Sequence, residues 1–147
     1  MFSQTESLTG RWGAVSTVSV DGCGLSDIVT PIGFPLCALE QSGESVGMTC
    51  AEGWCGGLCA HPSGTVVGDS VTLTSVRTVL VDSKCSVQVT ETDSATLSGQ
   101  TLSGQAMMTV NAVGECFGRF PCLMQGSFVL TRFRSDALFP ACVLTCQ

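Results

Sequence analysis

Three cysteines and the one histidine of the chain lie within twelve residues, from Cys50 to His61. Cys50, Cys55, Cys59 and His61 are soft ligands of the kind that zinc takes in a closed tetrahedral site. Their gaps of four, three and one residues lack the two-residue knuckle of zinc fingers, and no gap matches the C-x-x-C of a redox site. The spacing therefore favours disulfide bonds, with a zinc centre as the alternative.

The chain has ten cysteines, an even number far above ordinary usage. They predict up to five disulfides and an oxidising location, which is extracellular, periplasmic or at a cell surface. Spacing leaves the pairing open, except that Cys116 and Cys122 bracket a short turn-like insert and are expected to bond to each other. The start of the chain does not resemble a signal peptide, so we expect that a leader has been removed. The cysteines are Cys23, Cys37, Cys50, Cys55, Cys59, Cys85, Cys116, Cys122, Cys142 and Cys146.

The other reactive side chains form no recognisable catalytic pattern. No G-x-S-x-G nucleophile elbow occurs, and the one histidine lies in the Cys-rich segment. The twelve acidic residues, Glu91 and Asp93 included, are expected to be solvated carboxylates at turns. Glu40 is singled out because it shares the parity of Leu36 and Ala38 and could point into the fold. We expect no catalytic residue, no cofactor and no metal.

Composition and charge indicate one β-rich domain. The 147 residues suffice for a hydrophobic core, and only 12% are charged, whereas Gly, Ser, Thr and Val are abundant. A net charge of −6 does not supply the basic surface that nucleic acids require. No stretch is long and apolar enough for a transmembrane helix. We expect a single domain, residues 1–147, with no nucleic-acid partner and no transmembrane span.

Alternation of apolar and polar residues predicts about eight antiparallel strands. Tight turns between successive strands are typical of an up-and-down barrel, and the alternatives are a β-sandwich and an irregular disulfide-rich β fold. The barrel body is expected over residues 8–134, followed by a disulfide-pinned tail, 135–147. The predicted strands are 10–20, 36–41, 44–50, 64–67, 70–80, 85–92, one that ends near 113, and 127–134.

The segment Leu8–Trp12, Leu-Thr-Gly-Arg-Trp, opens the first predicted strand. Its Gly10-x-Trp12 motif resembles the signature of the lipocalin and calycin barrels, and the segment is similar to the Thr-Gly-x-Trp opening of small secreted bacterial lipoprotein domains. The resemblance implies that Trp12 closes the narrow end of a barrel and packs against an arginine of the last strand, Arg132 or alternatively Arg134. A guanidinium can stack on an indole and bond the carbonyls left free at strand ends.

The resemblance also implies a non-catalytic binding protein for a small apolar or amphipathic molecule. Phe128 and Leu130 share a face of the last strand with Arg132 and Arg134, and these four residues and Glu40 are the candidate ligand-binding residues. A second hypothesis is a structural or adhesion module at a cell surface, with a solid core and a protein or a second copy as partner. An enzyme built on a calycin-like barrel is a third option.

Overall fold

The computed structural model describes residues 7–52 and 59–133, and every regular element within these ranges is a β-strand. No helix in the described ranges has the length and apolar character needed to cross a membrane. The strands are β1 (Gly10–Asp21), β2 (Leu36–Ser42), β3 (Ser45–Ala51), β4 (Cys59–Ala60), β5 (Ser63–Val67), β6 (Ser70–Leu80), β7 (Cys85–Ser98), β8 (Thr101–Gly114) and β9 (Cys122–Arg132).

Eight of these strands close into an antiparallel up-and-down barrel. Strands that follow each other in the chain pair with each other, and β1 pairs with both β2 and β9, so that the sheet closes on itself. The two-residue strand β4 is additional and pairs with β3 beside the main ladder. The predicted barrel is confirmed, and the β-sandwich alternative is wrong because the first and last strands are hydrogen-bonded to each other.

Two strands are longer than the alternation predicts. β7 continues past Thr92 to Ser98 and pairs with β8 along its whole length. β9 begins at Cys122 instead of Ser127 and ends at Arg132, two residues before the predicted end. Arg134 and the tail 135–147 lie outside the described residues.

Disulfide pairing differs from the sequence prediction. Cys116 bonds to Cys85 and Cys122 bonds to Cys23, so the predicted bond between Cys116 and Cys122 is wrong. The cause is strand pairing, because Cys85 lies opposite Gly114 in the β7–β8 ladder and is thereby brought beside Cys116. Cys122 opens β9 with its side chain turned inward, where Cys23 meets it. Strand register therefore decides the partners, and proximity along the chain does not.

The Cys-rich segment is held by disulfides where the structure describes it. Cys50 bonds to Cys37, which lies directly opposite it in the β2–β3 ladder, and Cys59 is also disulfide-bonded. These bonds remove two of the thiolates that the zinc alternative requires, so that alternative is wrong. Cys55, Cys142 and Cys146 lie outside the described residues. The observed disulfides indicate an oxidising environment of the extracellular type.

The interior contains two apolar clusters. One lies at the end of the barrel that contains Trp12, and we call it the tryptophan-end cluster; the other lies beside two of the disulfides, and we call it the cystine-end cluster. The first includes Trp12, Leu39, Leu73, Leu97, Leu102, Phe128 and Leu130. The second includes Val29, Cys85, Val87, Val89, Met108, Val110, Cys122 and Met124.

The connection between β1 and β2, residues 22–35, enters the barrel, and we call it the inner loop. Val29 packs in the cystine-end cluster and Ile32 in the tryptophan-end cluster. Ile32 has a φ of 69°, which is rare and costly for a β-branched residue and persists only where the surroundings fix it. Gly126 on β9 makes room for the loop, since a Cβ there would lie 2.6 Å from Cγ of Pro31. The protein's own chain thus fills the middle of the barrel.

Candidate functional site

Trp12 and Arg132 close one end of the barrel. The indole is fully buried, and its Nε1–H donates to the carbonyl of Leu8 at 2.9 Å. The guanidinium carbon of Arg132 lies 4.7 Å from the centroid of the indole ring, and its Nη2 donates to the carbonyl of Ser7 at 2.6 Å. The contact that the resemblance implied for Arg132 is therefore present, and the arginine also bonds the backbone that leads into β1.

Of the other predicted ligand-binding residues, Phe128, Leu130 and Glu40 do not meet in a cavity, and Arg134 lies outside the described residues. Phe128 and Leu130 are buried within the tryptophan-end cluster, packed against other apolar side chains. Glu40 is exposed, because Cys37 and Leu39 are the residues of β2 that point inward. The expectation that Glu40 points into the fold is therefore wrong by one residue of parity.

Among the residues that the structure describes, four polar side chains lie inside the barrel between the two apolar clusters. Ser75 and Arg77 belong to β6, and Glu91 and Asp93 belong to β7. Glu91 and Asp93 are fully buried, which corrects the expectation that they are solvated turn carboxylates. On β7 the inward series Val87, Val89, Glu91, Asp93, Ala95 and Leu97 continues without interruption, so that strand geometry places the two carboxyls inside.

Arg77 and Glu91 together hold the inner loop. Nη1 of Arg77 donates to Oε1 of Glu91 at 2.7 Å, and Nη2 donates to the carbonyl of Thr30 at 2.7 Å. Oε2 of Glu91 accepts the backbone N–H of Ile32 at 2.9 Å. Gly33 fits over the guanidinium, since a Cβ there would be 3.0 Å from Nε of Arg77. The ion pair thus satisfies two backbone groups of the loop that would otherwise be buried without partners.

Asp93 carries the proton that keeps this cluster electrically neutral. Burial raises the pKa of Asp93 to about 9, the Glu91 carboxylate beside it adds to the shift, and Arg77 opposes it. At neutral pH the carboxyl is therefore protonated, and in that form it can donate to Glu91. One cation, one carboxylate and one neutral acid share the space, so that no net charge is buried there.

A gap in the barrel wall lies next to the four buried polar side chains. β5 is short and covers β6 only from Ser70 to Thr74. Within the described residues, the second half of β6, from Ser75 to Leu80, is paired with β7 alone. The uncovered edge of β6 faces the end of the inner loop, and the two are separated by a groove of about 420 Å³.

The groove is mainly apolar, and one end of it reaches Arg77. Ile28, Phe34 and Pro35 form the wall on the side of the inner loop, and Val79 and Leu80 form the wall on the side of β6. Its volume falls within the range of small-molecule pockets, about 300 to 1,000 Å³. The remaining lining residues are Gly33, Glu52, Cys59, Arg77 and Thr78.

The charged residues of the groove differ in what they can offer to a bound molecule. Arg77 is only 8% exposed, and its charge is matched by Glu91. Glu52 is exposed at the rim. An apolar body with a neutral or cationic head therefore suits the groove. An anionic head would meet Glu52, and Arg77, the one cation among the described lining residues, is already paired with Glu91. No motif or spacing in the sequence singles out Arg77 or Glu52.

No metal site is visible near the groove or elsewhere in the described ranges, where no group of three His, Cys, Asp or Glu side chains could hold an ion. Comparison of the chain with protein-family models, with characterised proteins and with solved structures finds no match.

Proposed function

We propose that this protein is a non-catalytic binding protein of the extracellular, periplasmic or cell-surface space that holds a small amphipathic molecule in the groove between the inner loop and β6. The observation that carries the proposal is the apolar groove beside the second half of β6, a segment that pairs with β7 alone among the described strands. The calycin-like reading of Gly10, Trp12 and Arg132 is part of the same proposal and is supported by the stacking of Arg132 on Trp12.

The proposed binding site is the groove and not the middle of the barrel, which the inner loop fills. Arg77 and Glu91 keep the inner loop inside the barrel, and Ile32 and Val29 fill the space there. The same loop supplies Ile28, Phe34 and Pro35 to the groove. A rigidly held loop presents a preformed apolar wall, which reduces the entropy lost when a ligand binds.

Titration with a neutral fluorescent probe tests the proposal. Nile red should bind saturably with one site per chain, and dodecylamine should displace it at lower concentration than dodecanoate, because Glu52 attracts the amine. Glu52→Gln should reduce the difference between the two amphiphiles. Both should be used below their micellar concentrations, so that displacement reports binding to the protein.

Two exposed leucines provide a matched pair of variants. Leu80 is 69% exposed and lines the groove, whereas Leu123 is 54% exposed and lies on the outer face of β9, away from it. Leu80→Asn should weaken probe binding by about 10-fold or more, the worth of burying one leucine side chain. Leu123→Asn should leave the affinity unchanged. Absence of saturable binding, or equal loss in both variants, would exclude the groove as the site.

A further inference from the structure

The outer face of three adjacent strands carries no charge at all. Every second residue points outward from Ser86 to Ser98 on β7, from Thr101 to Val113 on β8 and from Leu123 to Thr131 on β9. None of the residues at these nineteen positions, seven on β7, seven on β8 and five on β9, is Asp, Glu, Lys or Arg. We call this surface the neutral wall.

The absence of charge is unusual even for a chain that is poor in charged residues. At the chain's own share of 12%, nineteen positions would carry about two charges, and a surface designed for solubility would carry about five. The chain as a whole has a net charge of −6, and acids such as Asp21, Glu44, Asp69 and Asp82 lie at the turns and strand ends. Charge is therefore missing from one broad face, although the protein has enough acidic residues to cover it.

Met107 and Leu123 give the neutral wall an apolar centre. Met107 lies opposite Gln125 and Leu123 lies opposite Thr109, so the two side chains are diagonal neighbours on the same face. They are 53% and 54% exposed. Beside them is a hollow of about 480 Å³ whose floor is formed by Ala106 and Gly126, and Met107 forms part of its edge.

We propose that the neutral wall is the contact surface between two copies of this chain, with Leu123 of each copy seated in the hollow of the other. A projection beside a hollow is self-complementary about a two-fold axis, as an isologous dimer requires. Nineteen outward positions approach the roughly 20 to 30 residues per partner of a standard interface.

Charge distinguishes a second copy from other occupants. Two copies that each carry −6 repel each other at their acidic ends, and the neutral wall is the broad face where this repulsion is weakest. A cationic partner would find no carboxylate on the wall. A neutral glycan would find no aromatic ring for its sugars to stack on, because none of the nineteen residues is Phe, Trp or Tyr. The wall does offer hydroxyl and amide groups that can pair with the same groups of a second copy.

Sedimentation velocity over a concentration series tests the proposal without any ligand. The wild-type chain should show a monomer–dimer equilibrium below about 500 μM, and Leu123→Glu should weaken it by about 10-fold or more, because a buried charge would face the second copy. Leu80→Glu changes the charge equally outside the neutral wall and should leave the equilibrium unchanged. Thermal unfolding of both variants checks that each is folded.

Three results would overturn the inference. The first is a wild-type chain that stays monomeric throughout the series, and the second is an equal effect of the two variants. The third is a monomeric chain that is retained on a neutral polysaccharide resin and loses this retention in Leu123→Glu, which would assign the wall to carbohydrate. None of these results depends on whether the groove binds an amphiphile, so the two proposals stand or fall separately.

Discussion

Arg77 and Glu91 form an ion pair inside the barrel, with Nη1 of the arginine 2.7 Å from Oε1 of the glutamate. Each also bonds the backbone of the inner loop, at Thr30 and at Ile32. The pair therefore links β6 and β7 to a segment that is 47 residues from Arg77 and 59 residues from Glu91 along the chain. It fixes the loop that fills the barrel and forms one wall of the groove.

Removal of one partner of this pair should be strongly destabilising. Glu91→Gln removes the carboxylate that Arg77 contacts, and loss of one member of a buried ion pair typically costs about 3 to 5 kcal/mol. The free energy of unfolding can be measured in urea. Glu44→Gln, at an exposed turn, is the control and should change it by less than about 0.5 kcal/mol. Similar effects of the two substitutions would show that the ion pair does not stabilise the fold.

The same variant should release the inner loop. The amide proton of Ile32 is protected by its bond to Glu91, and Glu91→Gln should accelerate its exchange with deuterium more than that of amides in the β7–β8 ladder. Exchange that is faster by the same factor throughout the barrel would indicate a global loss of stability and no specific anchoring of the loop.

Asp93 should make the protein less stable as the pH rises. Its pKa is about 9 in the folded protein against an ordinary value of 3.8 for an aspartate, so between these values the folded state holds one proton that the unfolded state has released. The free energy of unfolding should therefore fall by up to about 1.4 kcal/mol per pH unit and level off above about pH 9. This destabilisation is absent below about pH 4, where Asp93 is protonated in both the folded and the unfolded state.

Asp93→Asn removes this proton without a large change in shape. The variant should show a flatter dependence of unfolding free energy on pH between about 5 and 9 and should exceed the wild type in stability toward alkaline pH. Urea unfolding at four or five pH values measures both slopes. Parallel curves for the two proteins would mean that Asp93 does not hold a raised pKa.

The sequence predicts the barrel well because strand alternation is a local signal. β1, the β2–β3 hairpin and β6 are found close to where alternation places them. The hairpin and β6 each have one buried face, whereas the inner face of β1 is half-buried apart from Trp12. The motif that singles out Trp12 is also local, because Gly10 and Trp12 are close neighbours in the chain.

The sequence does not predict the buried polar side chains, because the groups that make their burial tolerable lie far apart along the chain. Alternation of apolar and polar residues predicts β7 only to Thr92, because the apolar series Val87 and Val89 is followed by the acidic residues Glu91 and Asp93. Their register continues that of Val87 and Val89, and the parity of Arg77 matches that of Leu73. What makes the burial tolerable is an arginine on another strand and backbone groups of the inner loop, which only the folded chain brings together.

The disulfide partners are also brought together only in the folded chain, and their spacing along the chain allows a further prediction. Cys23 and Cys122 are separated by 99 residues and Cys85 and Cys116 by 31, and a longer closed loop constrains the unfolded chain more. Replacement of Cys23 and Cys122 by alanine should therefore cost about 1 kcal/mol more than replacement of Cys85 and Cys116. Unfolding in urea measures the difference. Peptide mapping that recovers a Cys116–Cys122 bond instead would contradict the observed pairing.

Trp12 and Arg132 should behave as one unit. Trp12→Ala removes a fully buried indole and should lower the free energy of unfolding by about 3 to 5 kcal/mol, whereas Phe117→Ala, at a residue that is 98% exposed, should have little effect. Arg132→Ala alone should be destabilising, because the stacking contact and the bond to the Ser7 carbonyl are both lost. In the background of Trp12→Ala it should cost clearly less, since residues in contact give non-additive effects. A double-mutant cycle in urea measures this coupling, and a coupling energy near zero would mean that Arg132 does not hold the closed end of the barrel through the indole.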